Sequence, residues 1–176
     1  LPPKAWVVVD DGSTDATAEL LAAMATEHAW VHVVDRAEAT RENLAGGRRE
    51  GRALEGFKVG VRALPCEADV VIKVDADVDF DPDYCEQLVA RFAADPKLAI
   101  ASGTCHELEN GEWVRRTKAE STVWGASRAY RWDCLGDVMA LEPRMGWDGL
   151  DELSVQLRGL RTQTFVDLPF RHNRPE

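Results

Sequence analysis

Short apolar runs of extended character alternate along this chain with segments whose apolar residues recur at helical spacing. Residues 5–9 and 31–34 predict two strands, and between them Leu20, Leu21 and Met24 mark the inner stripe of a helix over 16–28. A Gly- and Arg-rich stretch, 41–52, leads into a second helix over about 53–64. The run 70–74 predicts a third strand, Pro82 suits the first turn of a helix reaching Ala94, and 98–103 predicts a fourth strand. Strands that alternate with helices in this way build a mostly parallel α/β sheet with helices on both faces. Past residue 103 the alternation breaks. Asn110-Gly111 reads as a hairpin turn, and 124–136 takes no secure assignment. Residues 151–158 are predicted helical with Gly159 as their stop, and 162–166 form a last predicted strand.

Composition narrows the class. With 176 residues and 45% hydrophobic content, the chain can bury one sizeable core, so a single domain over 1–176 is expected. A net charge of −10 argues against nucleic acid as a partner and against adhesion to anionic lipid by charge alone. Cys66, Cys85, Cys105 and Cys134 form no C-x-x-C pair, so neither a zinc knuckle nor a disulfide framework is signalled. No apolar run has the length of a membrane span and no signal peptide opens the chain, which sets a reduced, cytoplasmic location as the expectation.

Two acidic clusters carry the candidate chemistry. The stretch Val74 to Asp83 reads V-D-A-D-V-D-F-D-P-D and follows directly on the third apolar run. If the backbone stays extended, Asp75, Asp77 and Asp79 lie on one side, and a hard divalent cation held by their oxygens would relieve the repulsion among them. The second cluster, Asp10-Asp11-Gly12-Ser13-Thr14-Asp15, stands at the carboxyl end of the first strand, where open parallel sheets bind their ligands. A strand-to-helix turn with a cap accounts for Gly12, Ser13 and Asp15. It leaves the paired carboxylates unexplained, and one of them could accept the imide N–H of a nucleotide base.

Together the two motifs resemble those of the family 2 glycosyltransferases of GT-A fold, a Rossmann-like nucleotide-diphospho-sugar transferase architecture. The resemblance implies a nucleotide-sugar donor, UDP- or GDP-linked, a carbohydrate, lipid or other hydroxyl acceptor, inversion at the anomeric carbon, and Mn²⁺ or Mg²⁺ as cofactor. Residues 1–104 would then form the nucleotide-sugar part and 105–176 the acceptor part. Asp10 would hold the base with Asp11 beside it, and Arg52 or Lys58 would lie near the base or pyrophosphate. Asp75 would face the ribose or metal, Asp77 would bind the metal, and Asp79 and His172 would extend its shell. His172 falls in the stretch Phe170-Arg171-His172-Asn173-Arg174.

The family also uses a carboxylate as base for the acceptor hydroxyl. Counting back from Gly159 points to Asp148, with Trp147 where the family usually has Glu; Asp151 is the competitor and Glu152 a weaker one. Trp124, Gly125, Tyr130, Arg131 and Trp132 fall where the family builds its acceptor floor.

The opening strand begins within five residues of Leu1, so an earlier strand of the fold is expected to be absent from the chain. An exposed sheet edge of that kind would favour a homodimer, and a lipid acceptor would bring peripheral association with the inner face of a membrane. Three other readings stand beside this one: a nucleotide-sugar-binding remnant without turnover, a sugar nucleotidyltransferase, and a calcium-binding loop. Asp75, Asp77, Asp79 and Glu86 match EF-hand positions, but Phe80 stands where that loop needs Gly.

Overall fold

The computed structural model of the chain describes residues 2–36, 49–143 and 146–173. Two compact units result, one of residues 1–68 with 142–147 and one of residues 69–141 with 148–176.

In the first unit, strands β1 (Trp6–Asp10) and β2 (Val31–Asp35) pair in parallel, with Asp10 opposite Asp35. Helix α1 (Thr17–Glu27) connects them and contributes the buried Leu21. Helix α2 (Arg49–Arg62) brings the fully buried Leu54 inward, and its Gly60 lies close to Val9 of β1.

The second unit is built on a six-stranded sheet. Its strands are β3 (Val70–Val74), β4 (Val78–Phe80), β5 (Leu98–Glu109), β6 (Glu112–Arg115), β7 (Ser127–Arg131) and β8 (Arg161–His172). The order is β3-β7-β5-β8-β4, with β6 paired to β5 as the arm of a hairpin. Asn110 and Gly111 turn that hairpin at φ of 51° and 83°, as the sequence suggested. Helix α3 (Tyr84–Ala94) lays Tyr84, Leu88 and Phe92 on the sheet against Leu98, Ala101, Cys105, Ala129, Leu168 and Phe170. Helices α4 (Leu135–Ala140) and α5 (Trp147–Leu157) complete the described elements, with a short 3₁₀ turn, Trp132–Cys134, before α4. No helix among the described residues is long and apolar enough to cross a membrane.

The expected mostly parallel, Rossmann-like open sheet is corrected here. Among the described residues only β1–β2 and β5–β8 pair in parallel, whereas β3–β7, β5–β7, β4–β8 and β5–β6 are antiparallel. Two short strands without an apolar run account for the difference. Strand β7 reads S-R-A-Y-R, which carries no apolar run, and it enters between β3 and β5 where a parallel fold would have placed them side by side. Strand β4 is three residues long and lies inside the acidic motif.

The sheet also curls. Strands β3 and β4 end the strand order on opposite sides, yet only Asp75, Ala76 and Asp77 separate them. Val74 to Val78 reaches about 14 Å at most, while four strand spacings of a flat sheet would cover about 19 Å. The sheet must therefore bend round until its edges approach, and the acidic motif is the link that joins them. A strand on each side of that motif is incompatible with the helix–loop–helix of an EF-hand.

Candidate active site

In the first unit, β1 delivers Asp10 and Asp11 to a turn in which Gly12 takes a φ of 87°. The Ser13 amide donates to Asp10 Oδ1 at 2.9 Å. Hydrogen bonds from the Ser13 hydroxyl and amide hold the buried Asp10 carboxyl below the usual range. Asp11 is gripped by Arg52, whose Nε and Nη2 donate to Asp11 Oδ2 at 3.0 and 2.8 Å. Arg36 approaches the other oxygen at 3.5 Å and reaches Glu55 at 3.3 Å. The structure thus brings Asp10, Asp11 and Arg52 together, makes Arg52 a clamp on Asp11, and adds Arg36, which the sequence reading did not single out. Lys58 is buried on α2. Residues 41–48 of the Gly- and Arg-rich stretch, and Arg174, lie outside the described residues.

In the second unit, the link between β3 and β4 gathers a group that could hold a metal. One donor atom each from Asp75, Asp77 and His172 lie within 4.8 Å of one another, a spread that oxygen and imidazole donors around one divalent ion would show. Main-chain bonds fix the link: the Asp75 amide donates to the Ala126 carbonyl at 2.8 Å, and the Asn173 amide to the Asp77 carbonyl at 2.7 Å. His172 arrives on β8, opposite Val78, and is 5% exposed. Its Nε2 lies 3.3 Å from Asp77 Oδ1 and its Nδ1 lies 3.6 Å from Glu107 Oε1. Glu107 in turn accepts from Arg116 Nε at 2.6 Å. A carboxylate behind the ring is the arrangement that sets the tautomer of a metal-ligating histidine. Glu107 was not foreseen, because β5 reads as ending at Gly103 and only the register Glu107↔His172 brings the two together.

Asp79 is not part of this group. On a strand its side chain must point away from the face that Val78 shares with His172, and it pairs with Arg171 at 3.3 Å. The backbone bends after Asp75, so the extended-chain argument that placed three carboxylates on one side does not apply.

The two candidate bases occupy different environments. Asp151 is 1% exposed and accepts from Arg128 Nη2 at 2.7 Å, Arg128 Nε at 3.1 Å and the Tyr130 hydroxyl at 2.7 Å. Burial pushes its carboxyl above the ordinary value even against those donors. Glu152 accepts from the Val123 amide and from Arg128, both at 2.9 Å. Burial also works against the Arg128 charge, but the Asp151 and Glu152 carboxylates outweigh it and hold the guanidinium protonated. Arg128, Asp151 and Glu152 are thus a buried ionic knot that ties β7 to α5. Asp148 is only partly buried, and a Cβ placed on Gly125 would lie 3.2 Å from its Oδ2. The Gly125 carbonyl accepts from Lys73 Nζ at 2.9 Å, and the same ammonium pairs with Asp75. A chain of contacts therefore runs from Asp75 through Lys73 and Gly125 to Asp148.

Of the expected acceptor floor, Tyr130 is fully buried and belongs to the knot. Arg131 donates to the carbonyls of Phe92, Asp95 and Leu98 and so caps α3. Trp124 and Trp132 remain partly exposed, and Lys118 lies 4.3 Å from the centre of the Trp124 ring.

Two solved structures share the fold. GalNAc-T7, solved with UDP, GalNAc and Mn²⁺, is similar at a TM-score of 0.69 and 15% identity, over 98% of this chain and 38% of that one. The mannosyltransferase PcManGT from Pyrobaculum calidifontis, solved with GDP-Man and Mn²⁺, is similar at 0.66 and 19%, over 99% of this chain and 50% of that one. The chain thus spans half or less of these two proteins. No curated protein matches it. The model of glycosyl transferase family 2 matches residues 2–141, and the chain belongs to that family.

Proposed function

We propose that the chain transfers a sugar from a nucleoside-diphosphate sugar, UDP- or GDP-linked, to an acceptor hydroxyl with inversion, dependent on Mn²⁺ or Mg²⁺. The observation that carries this reading is the group Asp75, Asp77 and His172 at the link between β3 and β4, with donor atoms within 4.8 Å of one another. Family membership and the Mn²⁺ in both similar structures support it.

The donor set fits a hard divalent ion: two carboxylates and an imidazole, with Lys73 and Glu107 orienting them from behind. When bound, such an ion supplies Lewis acidity that offsets charge developing on the diphosphate. The remaining chemistry belongs to the chain. Asp10, set by Ser13, and Asp11, clamped by Arg52, are the candidate contacts of the base and donor. Asp148 is the base: it accepts the proton of the acceptor hydroxyl as that oxygen bonds to the anomeric carbon and the bond to the diphosphate breaks. Asp151 is sequestered by Arg128 and Tyr130, which leaves Asp148 as the carboxylate open to an acceptor. The acceptor class, whether carbohydrate, lipid or another hydroxyl, is set by loops around Trp124 and Trp132.

The test is calorimetric titration of the chain with UDP- and GDP-sugars, each with and without Mn²⁺. Binding that requires Mn²⁺ and releases free nucleotide on adding an acceptor is the expected result. A folded protein that binds no member of the panel would overturn the reading.

A further inference from the structure

Asp79, which the acidic motif offers as a metal ligand, faces elsewhere. It opens onto a cavity of about 210 Å³ that it lines with Phe80, Asp81, His106, Trp113 and Arg171. Strand register explains the company. Asp79 pairs across the sheet with Arg171, and Arg171 with His106, so the three form a row over β4, β8 and β5. The row lies on the face opposite to His172 and Glu107, because neighbouring residues on a strand point to opposite sides. Trp113 reaches the same face from β6, where it is two residues from Arg115, the partner of His106.

The chemistry of this face is unlike that of an ordinary solvated sheet surface. Trp113 is 40% exposed, which leaves much of a large ring facing water beside the Arg171 guanidinium, 5.7 Å from its centre. His106 Nδ1 is buried and has no hydrogen-bond partner among the described residues. That nitrogen is closed to solvent, so His106 gives the cavity its ring as a wall and no polar contact to a ligand. Asp79 and Asp81 offer acceptors and Arg171 offers donors, which suits vicinal hydroxyls. Two carboxylates at the rim disfavour an anion, and the polar groups disfavour a purely apolar guest. An aromatic ring beside paired donors and acceptors fits a neutral, ring-shaped polyol.

We infer that this face is a second carbohydrate-binding site, separate from the metal group, in which Trp113 stacks on a sugar ring and Asp79 and Arg171 bind its hydroxyls. The site is small enough for one ring. It neither requires nor follows from the transfer reaction, since its residues lie on the other face of the sheet. Its use would be to hold a glycan chain, or a neighbouring unit of one, on the protein.

Saturation-transfer NMR on the full chain with methyl glycosides of glucose, galactose, mannose and N-acetylglucosamine tests the inference. At least one glycoside should give a transfer signal that Trp113→Ala and Asp79→Asn each reduce at least tenfold. Mn²⁺-dependent binding of a nucleotide sugar should be unchanged in both variants, so that failure here and failure of the transferase reading are separable. No signal from any of the four glycosides would overturn the site. A signal that survives both substitutions would do the same, because it would come from another surface. Inorganic phosphate in place of the sugars should give no shift of the Trp113 indole resonance; a shift with phosphate alone would reassign the face to anions.

Discussion

Asp77 and His172 meet at 3.3 Å, although one sits in the link after β3 and the other at the end of β8. Their meeting depends on the antiparallel pairing of β4 with β8, which places Val78 opposite His172. Glu107 stands behind the imidazole at 3.6 Å. If the three side chains act as a ligand pair with a carboxylate support, His172→Ala and Asp77→Ala should abolish metal-dependent donor binding. Glu107→Gln should weaken the metal by about 10–100-fold while leaving the ligand set intact. Titration of Mn²⁺ in the presence of donor reads both effects, and an unchanged Mn²⁺ affinity in Asp77→Ala would remove the metal from this place.

Asp148 and Asp151 separate by environment, and that separation can be measured. Asp148→Asn keeps shape and should spare donor affinity, yet lower transfer by about 10²–10⁴-fold, the usual range for loss of a general base. Asp151→Asn acts through the fold. It leaves Arg128 short of an acceptor in a buried setting, so the midpoint of thermal unfolding should fall while the specific activity of the folded fraction changes little. The reverse pattern would hand the base to Asp151.

Arg128 is fully buried with Asp151 and Glu152 as its carboxylate partners. Removing the cation alone leaves two acids in a low-dielectric site. Arg128→Met should therefore destabilise the chain by about 3–5 kcal/mol. Replacing all three with apolar residues of similar volume should return most of that loss, since an ion cluster of this kind opposes its own desolvation. Urea unfolding of the single and triple variants supplies the comparison. Equal stability of the two would mean that the knot contributes through packing rather than charge.

How much of this was legible in the sequence follows from what each residue does. In the first 104 residues the strands that are apolar runs and the helices that carry an apolar stripe are legible: β1, α1, β2, α2, β3 and α3 all lie within a few residues of expectation, whereas β4, three residues inside the acidic motif, is not apparent. Both acidic motifs stand out in the sequence, because paired carboxylates at strand ends have no simple structural explanation. In the second half the hairpin at Asn110-Gly111, the helix before Gly159 and the last strand are legible, but β7 is not, for a physical reason. Strand β7 carries Arg128 and Arg131, whose side chains are satisfied by buried carboxylates and by the carbonyls at the end of α3. A buried arginine looks in sequence like a surface arginine, so the strand is not apparent there and the sheet reads as parallel. The place of Glu107, which the sequence does not single out, and of Asp79, which it offers to the metal, is hidden for a related reason, since register across the sheet sets it and not neighbours in sequence.

Acid should weaken the first unit through Asp10. Hydrogen bonds from Ser13 hold its folded-state carboxyl below the ordinary value of 3.8. Stability from those bonds is therefore fully present above the unfolded value and is lost as pH falls through the lowered folded one. Asp10→Asn removes the titrating group, so the variant should show a shallower loss of stability below about pH 4 than the parent chain. Chemical unfolding at several pH values gives the slopes. Parallel slopes would mean that other carboxylates carry the acid sensitivity.

Among the glycines of the described residues, Gly103 has the least room for a side chain. A Cβ there would fall 2.0 Å from the Leu168 carbonyl and 2.7 Å from the Tyr84 ring, distances at which the backbone of β8 must move. The position coincides with a register shift between β5 and β8, where Gly103 pairs with Phe165 and Thr104 with Pro169. The Gly103 amide also donates to the Tyr84 hydroxyl at 2.9 Å, a bond that sits with Ser127 at the junction of α3, β5 and β7. Burial pushes that phenol up to about 12, so it stays a protonated hydrogen-bonding group throughout the neutral range. Gly103→Ala should consequently cost about 1–3 kcal/mol or more, the range for an overpacked core. Tyr84→Phe, which removes only the hydroxyl, should cost about 1–3 kcal/mol for the buried amide left without an acceptor. Because β8 continues from this contact to His172, Gly103→Ala should also loosen Mn²⁺, whereas Tyr84→Phe should not. Thermal unfolding and Mn²⁺ titration of the two variants separate these effects, and an unaltered Mn²⁺ affinity in Gly103→Ala would show that the shift of β8 stays local to Leu168.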